Sequence, residues 1–119
     1  MTATILVVED DAAVREVILE VLADEGYQLH SADDGEQALT IAGEQHIDLL
    51  LTDGLMPRMD GPELVRRLRA QAPGLPVVLV SAHPTYASSE YPDISFLGKP
   101  FAIPALLELL DSLLHGRSP

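Results

Sequence analysis

Four charged side chains follow short apolar runs of this chain, each at a point where a buried strand would end. Glu9 and Asp10 follow the run at 5–8, Asp53 follows 49–52, and Lys99, the only lysine, follows 96–98. Because the carboxyl ends of parallel strands meet at one edge of an α/β sheet, where ligand sites form, we expect these groups to converge. Three carboxylates and one ammonium gathered there suit a divalent cation and a phosphoryl group.

Asp53 is the best candidate for a nucleophile in this set. A carboxylate can attack phosphorus in line and form an acyl phosphate, provided that a cation offsets the repulsion between the two anions. Mg²⁺, or Mn²⁺, is the expected cofactor because it prefers oxygen ligands and keeps several waters. Asp10 is the natural second ligand, Glu9 can hold a coordinating water, and the backbone carbonyl of Leu55 can supply a further oxygen. Lys99 would pair with a phosphoryl oxygen.

Each of these residues also has a purely structural interpretation. Asp10 and Asp11 precede a predicted helix and can cap its N-terminus. Asp53 precedes Gly54 and can be a turn residue, and Ser81, which could donate a hydrogen bond to a phosphoryl oxygen from the end of the fourth strand, carries little information alone. The joint pattern of successive strand ends favours the chemical interpretation.

Composition limits the function classes. The chain has 119 residues, enough for one domain with a single core, and 47% of them are hydrophobic. The formal net charge of −12 disfavours direct binding to nucleic acid or anionic membranes. The absence of cysteine excludes disulfides and thiolate metal sites. No apolar run reaches the roughly 18 residues of a membrane span, and no basic signal-peptide start is present, so we expect a cytoplasmic protein.

The apolar pattern alternates between strand and helix. Short continuous apolar runs predict strands at 5–8, 49–52 and 77–80, and further strands are expected at 28–32 and 94–97. Apolar residues at helical spacing predict helices, which lie around 14–22, 64–68 and 106–114, with a weaker one at 35–45. The alternation predicts a three-layer α/β fold whose parallel sheet has helices on both faces.

Four motifs of the chain resemble those of the receiver domain of bacterial two-component response regulators, of the CheY-like kind. They are Ile5–Asp11, the stretch Asp53-Gly54-Leu55-Met56-Pro57-Arg58-Met59-Asp60-Gly61, then Val80-Ser81-Ala82 and Lys99-Pro100-Phe101. The resemblance covers nearly the whole chain and implies a single receiver domain over 1–119. It also implies five parallel strands in the order 2-1-3-4-5.

The resemblance implies a role for each matching position. Asp53 would accept a phosphoryl group from the phosphohistidine of a histidine kinase or phosphotransfer protein. Mg²⁺ would be held by Asp10, Asp53 and the Leu55 carbonyl, with Glu9 behind. The domain would then catalyse its own phosphorylation and slow dephosphorylation, without being a turnover enzyme.

The resemblance also implies a conformational switch. Ser81 and Lys99 would contact the phosphoryl group, and an aromatic residue on the fifth strand would turn inward behind the Ser81 hydroxyl. Phe96 falls at that aromatic position, although an ordinary core role fits it as well. The switch would alter a surface that binds a downstream protein, which the sequence does not identify.

One segment departs from the family pattern. The interval between Ser81 and Lys99 is a few residues shorter than in most receivers, and Pro84 and Pro92 bracket a stretch with little apolar periodicity. We therefore expect the helix between the fourth and fifth strands to be shortened, absent or mobile. A similar shortening occurs in receivers of hybrid histidine kinases, so either a single-domain regulator or a receiver from such a kinase fits.

Three other functions share some of these sequence features. Haloacid-dehalogenase-type phosphatases need a second aspartate two residues after the nucleophile, where this chain has Leu55. A flavodoxin-like cofactor binder needs a phosphate loop after the first strand, where Glu9, Asp10 and Asp11 would repel phosphate. A pseudo-receiver, which would bind proteins without being phosphorylated, remains the alternative.

Overall fold

Five strands and four helices are present in the part of the chain that the structure describes. A computed structural model of the protein describes residues 2–56, 58–82 and 94–115. Its elements are β1 (Thr4–Val8), α1 (Ala12–Asp24), β2 (Gln28–Ala32), α2 (Gly35–Glu44), β3 (Leu49–Asp53), α3 (Gly61–Gln71), β4 (Val77–Ser81), β5 (Ser95–Gly98) and α4 (Ile103–Leu114). The predicted elements are all present, with β5 displaced by one residue from the predicted 94–97.

The five strands form one parallel sheet in the order β2-β1-β3-β4-β5, which confirms the expected topology. The strands β1, β3 and β4 lie inside the sheet and are almost continuously apolar because helices cover both of their faces. The edge strand β2 carries polar residues such as Gln28 and Ser31, which are exposed.

Successive residues of each strand point to opposite faces, so the sheet separates two hydrophobic clusters. On one face, Leu6 and Leu50 pack with residues of α2 and α3, among them Leu64. On the other, Val7 and Leu51 pack with residues of α1 and α4. Each fully buried aliphatic side chain stabilises the fold by about 1.5–3 kcal/mol.

Aspartates fix the starts of three helices at the carboxyl edge of the sheet. Asp11 accepts hydrogen bonds from two backbone N–H groups of α1, Asp34 accepts one from α2, and Asp60 accepts one from α3. Each such cap stabilises its helix by about 1 kcal/mol. The loops that precede these helices therefore have defined ends next to the candidate site.

Two further sequence expectations concern the helix between β4 and β5 and the lack of a membrane span. The stretch between Pro84 and Pro92, where a shortened, absent or mobile helix is expected, lies outside the described residues. Among the helices that are described, none is long and apolar enough to cross a membrane.

Candidate functional site

The strand registers bring the predicted site residues to one edge of the sheet. Asp53 of β3 pairs with Val80 of β4, and Ser81 of β4 pairs with Gly98 of β5. β1 ends level with β3, because Val8 pairs with Thr52, the residue before Asp53. The residues that follow β1 and β5 are therefore neighbours of Asp53, although they are far apart in sequence.

Three carboxylates form a cluster at this edge. One carboxylate oxygen each from Glu9, Asp10 and Asp53 lies within 4.8 Å of the others. Glu9 is 3% exposed, Asp53 is partly buried and Asp10 is exposed, so the cluster runs from the interior to solvent. An all-oxygen donor set of this kind suits Mg²⁺ or Mn²⁺ better than a soft metal.

The Lys99 ammonium lies against this cluster. Its Nζ is 2.9 Å from Oε1 of Glu9 and 3.4 Å from Oδ2 of Asp53. The backbone positions it as well, since the Lys99 N–H donates to the Ser81 carbonyl at 3.0 Å. The peptide bond between Lys99 and Pro100 is cis.

Two opposing effects set the pKa of Lys99. Partial burial, the largest single effect, lowers it, whereas hydrogen bonding to Glu9 and the charges of Asp53 and Glu9 raise it. Together the carboxylates outweigh burial, and the pKa of Lys99 lies above its usual 10.5. The side chain is therefore a fixed positive charge at neutral pH, and it supplies the partner that a buried carboxylate such as Glu9 requires.

Further hydrogen bonds fix the loop between β1 and α1. Oε2 of Glu9 accepts from the Asp11 N–H at 3.2 Å, and the Glu9 carbonyl accepts from Nη1 of Arg15 at 2.6 Å. Arg15 belongs to none of the motifs that predicted the site. Its signal was available, because Arg15 is the only basic residue of α1 and lies one turn into the helix.

Of the two neighbouring aspartates that could cap α1, only one does so. Asp11, not Asp10, is the N-cap of α1, with Oδ1 accepting from the N–H groups of Ala13 and Val14. Asp10 instead contributes an oxygen to the carboxylate cluster. The turn interpretation of Asp53 has support too, because its Oδ1 lies 3.4 Å from the N–H of Leu55.

The start of α3 packs directly on the backbone of Asp53. A Cβ at Gly61 would lie 2.8 Å from the Asp53 carbonyl oxygen and 3.0 Å from Cα of Gly54. The Gly61 N–H also donates to the Gly54 carbonyl at 3.0 Å. Only glycine permits this approach, so the position of Asp53 depends on a residue that the sequence marked merely as part of a turn.

The remaining predicted residues lie on β4 and β5. Ser81 is fully buried at the end of β4. Phe96 is partly buried on β5, and its ring lies beside Gly98, where a Cβ would be 3.6 Å from Cε2. Leu55 is exposed in the loop after Asp53. The roles expected of Ser81, Phe96 and the Leu55 carbonyl stay predictions.

Comparison with known proteins supports the sequence resemblance. Residues 5–111 match the family described as response regulator receiver domain. The chain is similar to the response regulator MprA of Mycobacterium tuberculosis (strain ATCC 25177 / H37Ra), with 37% identity over 123 aligned positions that cover 100% of this chain and 54% of MprA. The chain thus spans about half the length of the curated relatives it matches.

Solved structures are similar over nearly the whole chain. The receiver domain of the hybrid histidine kinase CckA has 38% identity and a TM-score of 0.81, with 94% of this chain and 99% of that one covered. The chemotaxis protein CheY4 of Vibrio cholerae has 28% identity and a TM-score of 0.87, with 96% and 100% covered. A putative response regulator from Chloroflexus aurantiacus has 30% identity and a TM-score of 0.88, with 97% and 99% covered.

Proposed function

This chain belongs to the response regulator receiver domain family of two-component signalling, and we propose that it accepts a phosphoryl group on Asp53. The phosphoryl donor would be the phosphohistidine of a histidine kinase or a phosphotransfer protein. One observation carries the proposal: the Asp53 carboxylate lies within one cluster with Glu9, Asp10 and the Lys99 ammonium. Such a cluster combines a nucleophile, a cation site and a positive charge for the incoming group.

The cluster would hold Mg²⁺ or Mn²⁺. Asp10 and Asp53 would be direct ligands, with the Leu55 carbonyl as a third and Glu9 behind them through a water. The fit rests on three carboxylate oxygens within 4.8 Å of one another. When bound, the cation offsets the repulsion between the Asp53 carboxylate and the phosphoryl oxygens.

The transfer follows from the position of the Asp53 carboxylate. One of its oxygens attacks phosphorus, so that an O–P bond forms as the P–N bond to the donor imidazole breaks. The imidazole keeps the bonding electron pair and takes up a proton from solvent. Lys99 pairs with a phosphoryl oxygen, and the Ser81 hydroxyl donates a hydrogen bond to another.

Return to the resting state requires water to attack the same phosphorus, which releases inorganic phosphate and restores the Asp53 carboxylate. Leu55, two residues after Asp53, offers no general acid for this step. Slow hydrolysis is therefore expected, as for a signalling domain and unlike a phosphatase.

The output of the phosphorylated state would be a changed protein-binding surface. Ser81 is buried at the end of β4, and Phe96 lies on the neighbouring β5. Movement of the Ser81 hydroxyl toward the phosphoryl group would make room for the Phe96 ring to turn inward. A downstream protein would recognise the altered surface.

Intact mass spectrometry tests this function. Incubation with Mg²⁺ and acetyl phosphate should add the mass of one phosphoryl group to the wild-type protein and none to Asp53→Asn, and EDTA should prevent the addition. An adduct on both proteins would place the acceptor elsewhere. No adduct, together with no response to beryllofluoride, would favour the pseudo-receiver alternative.

A further inference from the structure

Arg58, five residues after Asp53, has an unfavourable backbone conformation. It lies in the loop between β3 and α3, and its φ of 69° is in the left-handed region. A residue with a long side chain rarely adopts that region, whereas glycine does so freely. Arginine at this position therefore needs a compensating interaction of its side chain.

The side chain of Arg58 makes an ion pair with the start of α2. Its Nη2 donates to Oδ2 of Asp34 at 2.9 Å. Oδ1 of the same carboxylate accepts from the Gln37 N–H at 2.8 Å, which makes Asp34 the N-cap of α2. Asp34 thus caps the start of α2 and also binds the loop between β3 and α3 through Arg58.

The next residue of the loop attaches to the same place by packing. Met59 is buried, and its Sδ lies 2.6 Å from the point where a Cβ at Gly35 would be. The thioether therefore fills the space left by the missing side chain of Gly35, the first residue of α2. Consecutive side chains, one by charge and one by packing, tie this loop to α2.

The same loop carries the expected metal ligand that is not a carboxylate. Leu55, whose carbonyl is proposed to bind the cation, lies between Asp53 and Arg58. We propose that the Arg58–Asp34 ion pair is a positioning device that holds this loop against α2 and thereby raises the affinity of the site for a divalent cation. The inference rests on the metal site of the proposed function. It explains why a strained arginine stands at 58, since a glycine there would relieve the backbone but could not reach Asp34.

The decisive variant is Arg58→Gly, because its Mg²⁺ affinity should fall although its stability does not. Without metal, Arg58→Gly should unfold at the same or a higher temperature than wild type. Its Mg²⁺ affinity, read from the Gly54 amide signal in NMR titrations, should fall about threefold. Simple electrostatics predicts the opposite, since removal of a positive charge beside an acidic site strengthens cation binding. Arg58→Lys should restore most of the affinity.

Three further variants separate the ion pair from general charge effects. Asp34→Asn keeps an oxygen to cap α2 but loses the ion pair, and it should weaken Mg²⁺ binding more than Asp33→Asn, which removes the same charge next door. The double variant Asp34→Asn/Arg58→Gly should lose less Mg²⁺-binding free energy than the two single variants lose together, because both remove the same ion pair. Arg66→Ala, which removes a similarly exposed arginine on α3, should not weaken Mg²⁺ binding.

The possible results discriminate between the two proposals. If wild type shows no response to Mg²⁺, both the metal site and this inference are wrong. If wild type binds Mg²⁺ and Arg58→Gly binds it equally well, only this inference is wrong. A loss in Arg58→Gly without a loss in Asp34→Asn beyond that of Asp33→Asn would also overturn it, because the ion pair would then not be the cause.

Discussion

The Lys99 ammonium forms ion pairs with two carboxylates that would also face a bound cation. Its Nζ is 2.9 Å from Glu9 and 3.4 Å from Asp53, so the ammonium offsets part of the negative charge of the cluster in the metal-free protein. A divalent cation at the same cluster meets the repulsion of this ammonium. The residue that is expected to assist phosphoryl binding is therefore expected to weaken metal binding.

Lys99→Met should separate these two effects. We expect tighter Mg²⁺ binding than in wild type, because the competing positive charge is gone. The metal-free variant should lose about 2 kcal/mol of unfolding free energy, because the buried Glu9 carboxylate loses its ion-pair partner. Mg²⁺ titration and urea denaturation measure the two quantities, and Lys99→Arg, which keeps the charge, is the control. Weaker Mg²⁺ binding in Lys99→Met would contradict the competition.

The raised pKa of Lys99 has a consequence for stability at high pH. Although burial opposes the shift, the carboxylates raise the pKa above 10.5, so the folded state holds this proton more tightly than the unfolded state. The contribution is complete below pH 10.5 and is lost as pH rises through the folded pKa. Urea denaturation between neutral and strongly alkaline pH should show a decline that is shallower in Lys99→Met.

A second group titrates in the same alkaline range. Burial, with the nearby charges of Asp111 and Glu25, raises the pKa of Tyr27 above 10.0, and its contribution is lost in the same direction. Tyr27→Phe therefore serves as the control for the Lys99 comparison. If Tyr27→Phe removes the whole alkaline decline and Lys99→Met removes none, the ion pair contributes nothing measurable there.

At the scale of elements, the junction of β3 with α3 determines where the nucleophile lies. Gly61→Ala would place a methyl group 2.8 Å from the Asp53 carbonyl oxygen, which is backbone and cannot yield easily. We expect a loss of about 1–3 kcal/mol in stability and slower phosphorylation by acetyl phosphate. Denaturation and intact mass spectrometry measure the two effects.

Gly43→Ala is the matched control for Gly61→Ala. Gly43 lies near the end of α2, and a Cβ there would meet no other atom within 4 Å. The substitution should stabilise the protein by about 0.5–1 kcal/mol, since alanine favours the helix, and it should leave phosphorylation unchanged. Equal effects of the two substitutions would mean that the contact between α3 and Asp53 does not matter.

How far the sequence predicts this molecule depends on the range of the interactions involved. β4 was predictable because Val77–Val80 is an unbroken apolar run, and the proximity of Asp53 to Lys99 was predictable because each stands at the end of an apolar run. β5 begins one residue later than predicted, since its ladder starts with the pairing of Ser95 to Val78, which apolarity at Ile94 does not reveal.

The contacts between loops leave no comparable pattern of apolar runs in the sequence. Arg58 and Asp34 are 24 positions apart and belong to loops of different strands, so no periodicity connects them. The close approach of Gly61 to Asp53 likewise depends on how α3 packs on the sheet. Sequence thus predicted which groups meet at the strand ends, while the loop contacts that position them required the three-dimensional structure.

At the scale of the whole molecule, negative charge is in large excess. The chain has 19 acidic and 7 basic residues, and the basic side chains in the described residues all have acceptors within the protein. Acidic residues thus outnumber basic ones by twelve, and the net interaction among the charges is repulsive. The molecule measures 33 × 31 × 30 Å, so at low salt, where the screening length is about 30 Å, this repulsion acts across the whole fold.

Salt should therefore stabilise the protein, and two salts together should distinguish screening from binding. NaCl at about 0.15 M, which shortens the screening length to about 8 Å, should raise the thermal midpoint above that at about 0.01 M. At equal ionic strength, MgCl₂ should raise it further in wild type, because a ligand that binds only the folded state adds its binding free energy to stability. That extra rise should be smaller in Asp10→Asn, which lacks one proposed ligand, and the NaCl effect should persist.

A midpoint that falls with NaCl would mean that surface ion pairs such as Glu63 with Arg66 outweigh the repulsion. An equal MgCl₂ effect in both proteins would place the bound cation away from the Asp10 carboxylate.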